Sequence, residues 1–312
     1  MSGGSTANRT ALGVARDRTT DWRRGVVYGS DQTHSSVWKA CHILGLRESQ
    51  QGRLPTDARF RIDISALEAA LAEDRAKGVP PIAIVANAGT TNTGAVDPLD
   101  GVAELAARFD AWLHVDGAYG LAAVLDLQVR TLLSGVGRAD SISLDPHKWW
   151  FQPYECGVLL CRNGIELERT YTARAEYLSA IDGVPDEPNQ RDRSVQLSRR
   201  VVGLKFWATI KVFGIDAFAQ AVTHGIRLAE HAQRRVEQNR KWKVVSDAQL
   251  AVVTFRHVDG DAATDAAVAQ ANGTGTTFLA KTALRGQTVA RLCTINPRTT
   301  EEDIDAVLVA MV

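Results

Sequence analysis

Asp145-Pro146-His147-Lys148-Trp149-Trp150 follows directly on the apolar run 139–144, and His114-Val115-Asp116-Gly117-Ala118-Tyr119 closes a second run that begins at Trp112. In both places a short, strand-like segment ends abruptly in side chains that carry chemistry. That is how a buried parallel strand delivers its C-terminal end to a ligand. The interval between Asp116 and Lys148 is long enough for one crossover between neighbouring parallel strands. Further runs of the same kind lie at 26–28, 82–86 and 157–161, and all five are predicted as buried parallel strands. Between them the periodicity predicts helices over 7–16, 35–44, 64–77 and 99–109. Ser65 with Glu68 reads as a capping box for the third of these. The alternation argues for an α/β fold with its ligands at the C-terminal strand ends.

Beyond residue 177 the pattern breaks. The stretch from Tyr177 to Ser198 is polar and turn-rich, and reads either as a solvated loop or as a mobile active-site lid over about 178–198. Helices are predicted over 197–212 and 216–238. Strands at 243–246, 251–256, 276–280 and 289–295 follow, with a helix over 262–271 and a last helix capped by Thr300-Glu301-Glu302-Asp303. The expected organisation is a large domain over 1–240 and a small α+β domain over 241–312.

Composition narrows the function. The chain has 312 residues, 45% of them hydrophobic and 23% charged, enough for a large core. Lys plus Arg equals Asp plus Glu at 36 each, so no electrostatic footprint marks a nucleic-acid or anionic-membrane partner. Cys41, Cys156, Cys161 and Cys293 form no CxxC pair and no zinc spacing; they read as reduced thiols of a cytoplasmic protein with no metal site. No apolar run approaches the ~20 residues of a membrane span, and no signal peptide is visible.

The chemistry-bearing residues converge on one cofactor class. A lysine beside a histidine after one strand, with an aspartate closing another, suits pyridoxal 5'-phosphate (PLP): Lys148 as the Schiff-base lysine, Asp116 as partner of the pyridinium nitrogen. A strand-end aspartate also serves as a plain turn residue. His34, at a helix start after the first strand, can stack on a planar ring and relay a proton, or simply hydrogen-bond the helix terminus. Gly3, Gly4 and Ser5 before a helical stretch offer N–H groups, a hydroxyl and a helix dipole to a dianionic phosphate; a flexible leader remnant has the same composition. His147 and Asp145 can add contacts on that side. Ala88-Gly89-Thr90-Thr91-Asn92-Thr93-Gly94 brings hydroxyls to the same sheet edge, or is a simple Gly/Asn turn.

Taken together, Ser2-Gly3-Gly4-Ser5-Thr6-Ala7-Asn8, Ser30-Asp31-Gln32-Thr33-His34-Ser35-Ser36, Gly89-Thr90-Thr91, His114 to Tyr119 and Asp145 to Trp149 resemble, in order, the motifs of group II PLP-dependent amino-acid decarboxylases. This is the family of aromatic-L-amino-acid decarboxylase and its glutamate- and tyrosine-decarboxylating relatives. The resemblance runs from residue 2 to the closing helix. It implies a fold-type-I (aspartate-aminotransferase-like) large domain with a mainly parallel sheet, a small C-terminal α+β domain, and a homodimer with active sites at the subunit interface. It further implies that Lys148 forms the internal aldimine, Asp116 pairs with the ring nitrogen and His34 stacks on the ring. Thr91 would lie near ring and substrate carboxylate, and Ser5 with His147 would bind the phosphate. Gly4, Ala118 and Asp145 complete the expected cofactor-binding set. The implied reaction is decarboxylation of an L-amino acid, aromatic ones among the candidates, to amine and carbon dioxide.

Three departures qualify the expectation. Met1 stands where family members carry a long N-terminal region with dimerisation helices, so the chain resembles the C-terminal portion of a subunit. The stretch matching the family's mobile loop, 189–197, lacks the tyrosine that donates a proton to the carbanion, and no tyrosine follows Tyr177. Loss of that donor implies an aldehyde synthase, acting by oxidative decarboxylation and deamination, as the alternative. The family's glycine and basic run is replaced by Ser198-Arg199-Arg200-Val201-Val202-Gly203. An inactive fragment, or one that acts with a full-length paralogue, is the third expectation.

Overall fold

The computed structural model describes residues 1–173 and 189–311. Its first sheet has the order β2-β1-β3-β4-β5-β6, with β1 Val26–Ser30, β2 Gln51–Leu54, β3 Pro81–Asn87, β4 Trp112–Asp116, β5 Ser141–Leu144 and β6 Val158–Cys161. The first five strands are parallel. Successive residues point to opposite faces, and both faces are covered. Tyr28, Ile84, Ala86, Leu113 and Val115 pack with α3 (Ile64–Ala76) and α4 (Leu99–Phe109), while Val27, Ala83, Val85 and Trp112 pack with α1 (Gly4–Arg18) and α2 (Ser35–Ile43). Double coverage is why β1 and β3 read as apolar runs, while His114 in β4 and Ser141 and Ser143 in β5 are polar residues buried on the α1 face.

Helix α5 (Gly164–Tyr171) follows β6, and α6 (Val202–Phe213) leads into the long α7 (Ile215–Glu237). The second sheet is antiparallel, in the order β7-β8-β10-β9, from β7 Trp242–Gln249, β8 Val252–His257, β9 Ala280–Leu284 and β10 Gln287–Cys293. Helices α8 (Asp261–Gly273) and α9 (Glu301–Ala310) pack against it. Helix α7 spans both cores: Phe218, Val222 and Ile226 join the first, and Leu228, Ala232 and Val236 the second. Among the described residues no helix is long and apolar enough to cross a membrane.

Several expectations are corrected. Residues 157–161 form an antiparallel strand, not a parallel one, and Leu160 is half exposed at the sheet edge. No helix forms between 145 and 157, so nothing carries the chain across the sheet to start another parallel strand. The strand expected at 276–280 lies at Ala280–Leu284, and its register is set by a two-residue turn, Arg285-Gly286, with both φ angles positive. The helix expected from 197 starts at Val202, while β2 and α5 carried no recognised signal. Of the expected lid, 178–188 lies outside the described residues. Residues 189–198 dock through Arg193, whose Nη2 lies 2.7 Å from Glu168 on α5.

Asp63, not Ser65, caps α3: its carboxylate accepts from the N–H groups of Ser65 and Ala66 at 2.8 and 3.0 Å. An anionic acceptor one residue before the first turn satisfies two orphan donors and complements the helix dipole. Glu68, expected in the capping box, instead pairs with Arg108 on α4. Asp63→Ala is expected to destabilise the protein by about 1 kcal/mol in urea unfolding. Ser65→Ala should leave the midpoint within error; the reverse order would reinstate Ser65 as the cap.

Candidate active site

The parallel register aligns the ends of three strands, with Asn87 opposite Asp116 and Asp116 opposite Ser143. A cavity of about 460 Å³ opens over that row. Every residue proposed from the sequence lines it: Gly4, Ser5, His34, Thr91, Asp116, Ala118, Asp145, His147 and Lys148.

Lys148 is carried on a turn after β5, closed by its own N–H to the Asp145 carbonyl at 2.9 Å. The next residue anchors that turn. Trp149 is fully buried and stacks on Tyr119 at 5.1 Å between ring centroids, and the Tyr119 hydroxyl accepts from the Ala251 N–H at 3.0 Å. Trp149 and Trp150 are therefore core, and neither lines the cavity. The Lys148 ammonium lies 3.0 Å from Asp145 Oδ2, and His147 Nε2 lies 3.5 Å from the same oxygen. His147 Nδ1 accepts from the Cys156 N–H at 3.1 Å, which leaves the imidazole hydrogen on Nε2, facing Asp145. Burial pulls the His147 pKa below its ordinary value, with the Asp145 charge opposing and the Lys148 charge reinforcing that shift.

Asp116 is buried and receives three hydrogen bonds. Asn8 Nδ2 donates to Oδ2 at 2.8 Å; Ser143 Oγ and the Ala118 N–H donate to Oδ1, each at 3.1 Å. All three partners are donors to it, the environment of an ionised carboxylate. His34 is the N-cap of α2, where Nδ1 accepts from the Ser36 N–H at 3.2 Å. It also lines the cavity, so capping the helix does not withdraw it from the site.

The residues fit a planar, phosphate-bearing ring. Gly3 is the N-cap of α1 and supplies no side-chain cap, and the first turn holds no acidic residue of its own, so no side chain of the helix occupies its leading N–H groups. The glycines there leave little room for a side chain. A Cβ on Gly3 would lie 2.9 Å from His147 Cε1, and one on Gly4 3.0 Å from Asp145 Oδ2 and 3.1 Å from the Ala118 Cβ. Asp145 Oδ1 is buried with no hydrogen-bond partner beneath this loop.

The loop carrying Thr91 is held from the second sheet. Arg291 Nε on β10 donates to the Thr91 carbonyl at 2.7 Å, and Thr282 Oγ1 on β9 donates to Asn92 Oδ1 at 2.9 Å. Asn92 Nδ2 in turn reaches Gln32 Oε1, at 3.1 Å, in the loop before His34.

Sequence reasoning gave no role to Asn8 and Ser36, which line the cavity, or to His114, Ser141 and Ser143 behind it. A signal existed. His114 and Asp116, like Ser141 and Ser143, stand two apart in strands, so each pair shares a face, and Asn8 lies one helical turn after Gly4. Polar residues on that shared, buried face require partners.

Comparison with known proteins agrees with the geometry. Residues 11–258 match the family model described as the pyridoxal-dependent decarboxylase conserved domain. The aromatic-L-amino-acid decarboxylase of Bacillus atrophaeus is 44% identical over 97% of this chain and 66% of its own length. The L-2,4-diaminobutyrate decarboxylase of Rhizobium meliloti (strain 1021) is 36% identical over 99% of this chain and 64% of its own length. The chain thus spans about two thirds of the length of the curated relatives it matches. A crystal structure of Oryza sativa TDC with PLP and tryptamine superposes with a TM-score of 0.94 at 30% identity, over 100% of this chain and 68% of that one. The fold, its mainly parallel sheet included, is the one these enzymes share. On the family model and these identities, the chain belongs to the pyridoxal-dependent decarboxylase family.

Proposed function

We propose that this chain carries the PLP site of an L-amino-acid decarboxylase, with Lys148 as the covalent anchor and amine and carbon dioxide as products. The observation that carries the reading is the meeting, in one cavity at the C-terminal strand ends, of a lysine ammonium, a carboxylate fed by three donors and an uncapped helix N-terminus. When bound, PLP supplies an electron sink for the negative charge that develops at Cα as the carboxylate departs.

The chain's own groups have separable tasks. The Gly4 and Ser5 end of α1, with His147, takes the phosphate. Asp116 presents an anionic acceptor to the ring nitrogen, and His34 and Ala118 flank the ring. Thr91 approaches the substrate side. Asp145 holds the Lys148 ammonium, a more favourable task for a buried carboxylate than meeting a phosphate dianion directly. The working unit is proposed as a cytoplasmic homodimer acting on an L-amino acid, aromatic ones among the candidates, with the division near residue 240 separating the cofactor-binding and small C-terminal domains. The family resemblance and four free thiols support these points.

A second reading is aldehyde synthesis, favoured by the absence of any tyrosine after Tyr177. In that reaction the amino acid, dioxygen and water give aldehyde, carbon dioxide, ammonia and hydrogen peroxide. A panel of L-amino acids, assayed with PLP for carbon dioxide, amine, aldehyde and oxygen uptake, separates the readings. Amine without oxygen uptake supports decarboxylation; aldehyde with stoichiometric peroxide supports the second. No carbon dioxide from any substrate overturns both for this chain.

A further inference from the structure

The His114 ring is completely buried on β4, two residues before Asp116, on the face of the sheet that α1 covers. A buried neutral histidine usually does no more than satisfy its own nitrogens. Here the direction of the bonds around it is fixed from the Asp116 end. Trp112 Nε1 can only donate, and it donates to Ser141 Oγ at 2.7 Å. Ser141 Oγ keeps its own hydrogen and lies 2.9 Å from His114 Nδ1, which accepts it once Nε2 carries the imidazole hydrogen toward Asn8. With Nδ1 accepting, the imidazole hydrogen sits on Nε2, 3.0 Å from Asn8 Oδ1. Asn8, turned with its oxygen to His114, presents Nδ2 to Asp116 Oδ2 at 2.8 Å and to Ser36 Oγ at 3.1 Å. Ser36 Oγ in turn lies 2.8 Å from His34 Nδ1. The opposite sense would set the Asn8 oxygen against a carboxylate that has no hydrogen to give. Burial pulls the His114 pKa down to about 4, against the Asp116 charge and a hydrogen bond to the Ser141 backbone, so the ring is neutral and carries a single hydrogen.

We infer that Asn8 and His114 are positioning residues for the cofactor's ring nitrogen: a one-way chain of hydrogen bonds from Trp112 fixes the plane of Asp116 and keeps it an acceptor, while Asn8, through Ser36, orients His34. The inference rests on the PLP reading above. His114 itself lies outside the cavity and acts only through Asn8. One side chain on α1 thereby sets both the group that faces the ring nitrogen and the group that faces the ring plane.

The test measures binding, not turnover. Dissociation constants are determined for PLP and for the analogue with carbon in place of the ring nitrogen, using the unaltered chain, Asn8→Ala, His114→Leu and His114→Gln. Asn8→Ala and His114→Leu are expected to weaken PLP about tenfold, the loss of one charge-assisted hydrogen bond. The carbon analogue, which offers Asp116 nothing to hold, should change less than about twofold. His114→Gln should stay near the unaltered value, because its amide N–H can reach Asn8 Oδ1. Equal weakening of both ligands reduces the network to packing and overturns the inference, as does a PLP affinity indifferent to Asn8→Ala. If His114→Leu does not fold, Asn8→Ala decides. Nitrogen NMR of the unaltered chain is an independent check: a neutral His114 with its hydrogen on Nε2 is required, and a hydrogen on Nδ1 overturns the chain of bonds. Failure of the unaltered chain to bind PLP at all overturns the proposed function and this inference together; a flat response in the variants overturns only the inference.

Discussion

Lys148→Ala is expected to remove the pyridoxyl mass that borohydride fixes on the chain in the presence of PLP, and to lower carbon dioxide release by at least ~10³-fold. The magnitude follows from losing a covalent anchor and a positioned proton-transfer group together. Peptide mass spectrometry reads the result directly. In the unaltered chain the adduct should be confined to the peptide holding Lys148; adducts spread over surface lysines would show that the cavity does not select its amine. The variant should fold, because the turn is anchored by the fully buried Trp149 rather than by the lysine. A second readout accompanies it. Lys148 is one of the charges that depress the His147 pKa, and Asp145 is the charge that raises it. With the ammonium gone, the His147 pKa should rise, and proton NMR of that imidazole should show it titrating at higher pH than in the parent. An unchanged titration would mean that Asp145 and Lys148 do not meet in solution as they do at 3.0 Å here.

Asp116→Leu should act on both folding and cofactor retention. Three donors, from Asn8, Ser143 and Ala118, lose their acceptor inside a buried region. Unsatisfied buried donors carry penalties of about 1–3 kcal/mol each, and such penalties do not simply add. A net loss of about 2–4 kcal/mol in urea unfolding is the expected size. Asp116→Asn keeps the shape but turns one amide N–H toward groups that already donate. It should unfold at a midpoint closer to the parent while still failing to retain PLP. Normal PLP retention by Asp116→Asn would remove this residue from the ring-nitrogen role.

Much of this was legible in the order of residues. Strands β1, β3, β4 and β5 are sandwiched between helices, so burial on both faces leaves a mainly apolar signature in the sequence. Their polar ends, Asp116 and Asp145 to Lys148, marked the site because charge next to a buried strand needs a reason. Features without such a signature were misread. Strand β6 has the composition of its neighbours, but its direction depends on whether a helix intervenes, and the apolar pattern does not carry that. In β9 the alternation was shifted because the turn at Arg285-Gly286, not hydrophobicity, sets the register. Asp63 displaced Ser65 as a cap because ionised carboxylates accept helix N–H groups better than a hydroxyl further into the first turn. The His114 and Asn8 network is long-range, its two members standing 106 positions apart, and only the fold brings them together.

The tether between Arg291 and the Thr91 carbonyl has a thermodynamic corollary. Coupling between two places is reciprocal: if a ligand steadies the 89–94 loop, the strands that hold that loop are steadied by the same free energy. Hydrogen exchange should register this as slower exchange of amides in Ala280–Leu284 and Gln287–Cys293 when PLP is added, although β9 and β10 contribute nothing to the cavity lining. Arg291→Ala should weaken the distant protection, leaving the Thr282–Asn92 contact as the remaining tether, while that of α1 stays intact. The C-terminal sheet would then be an instrument that reports on the occupancy of a site built by the other half of the chain.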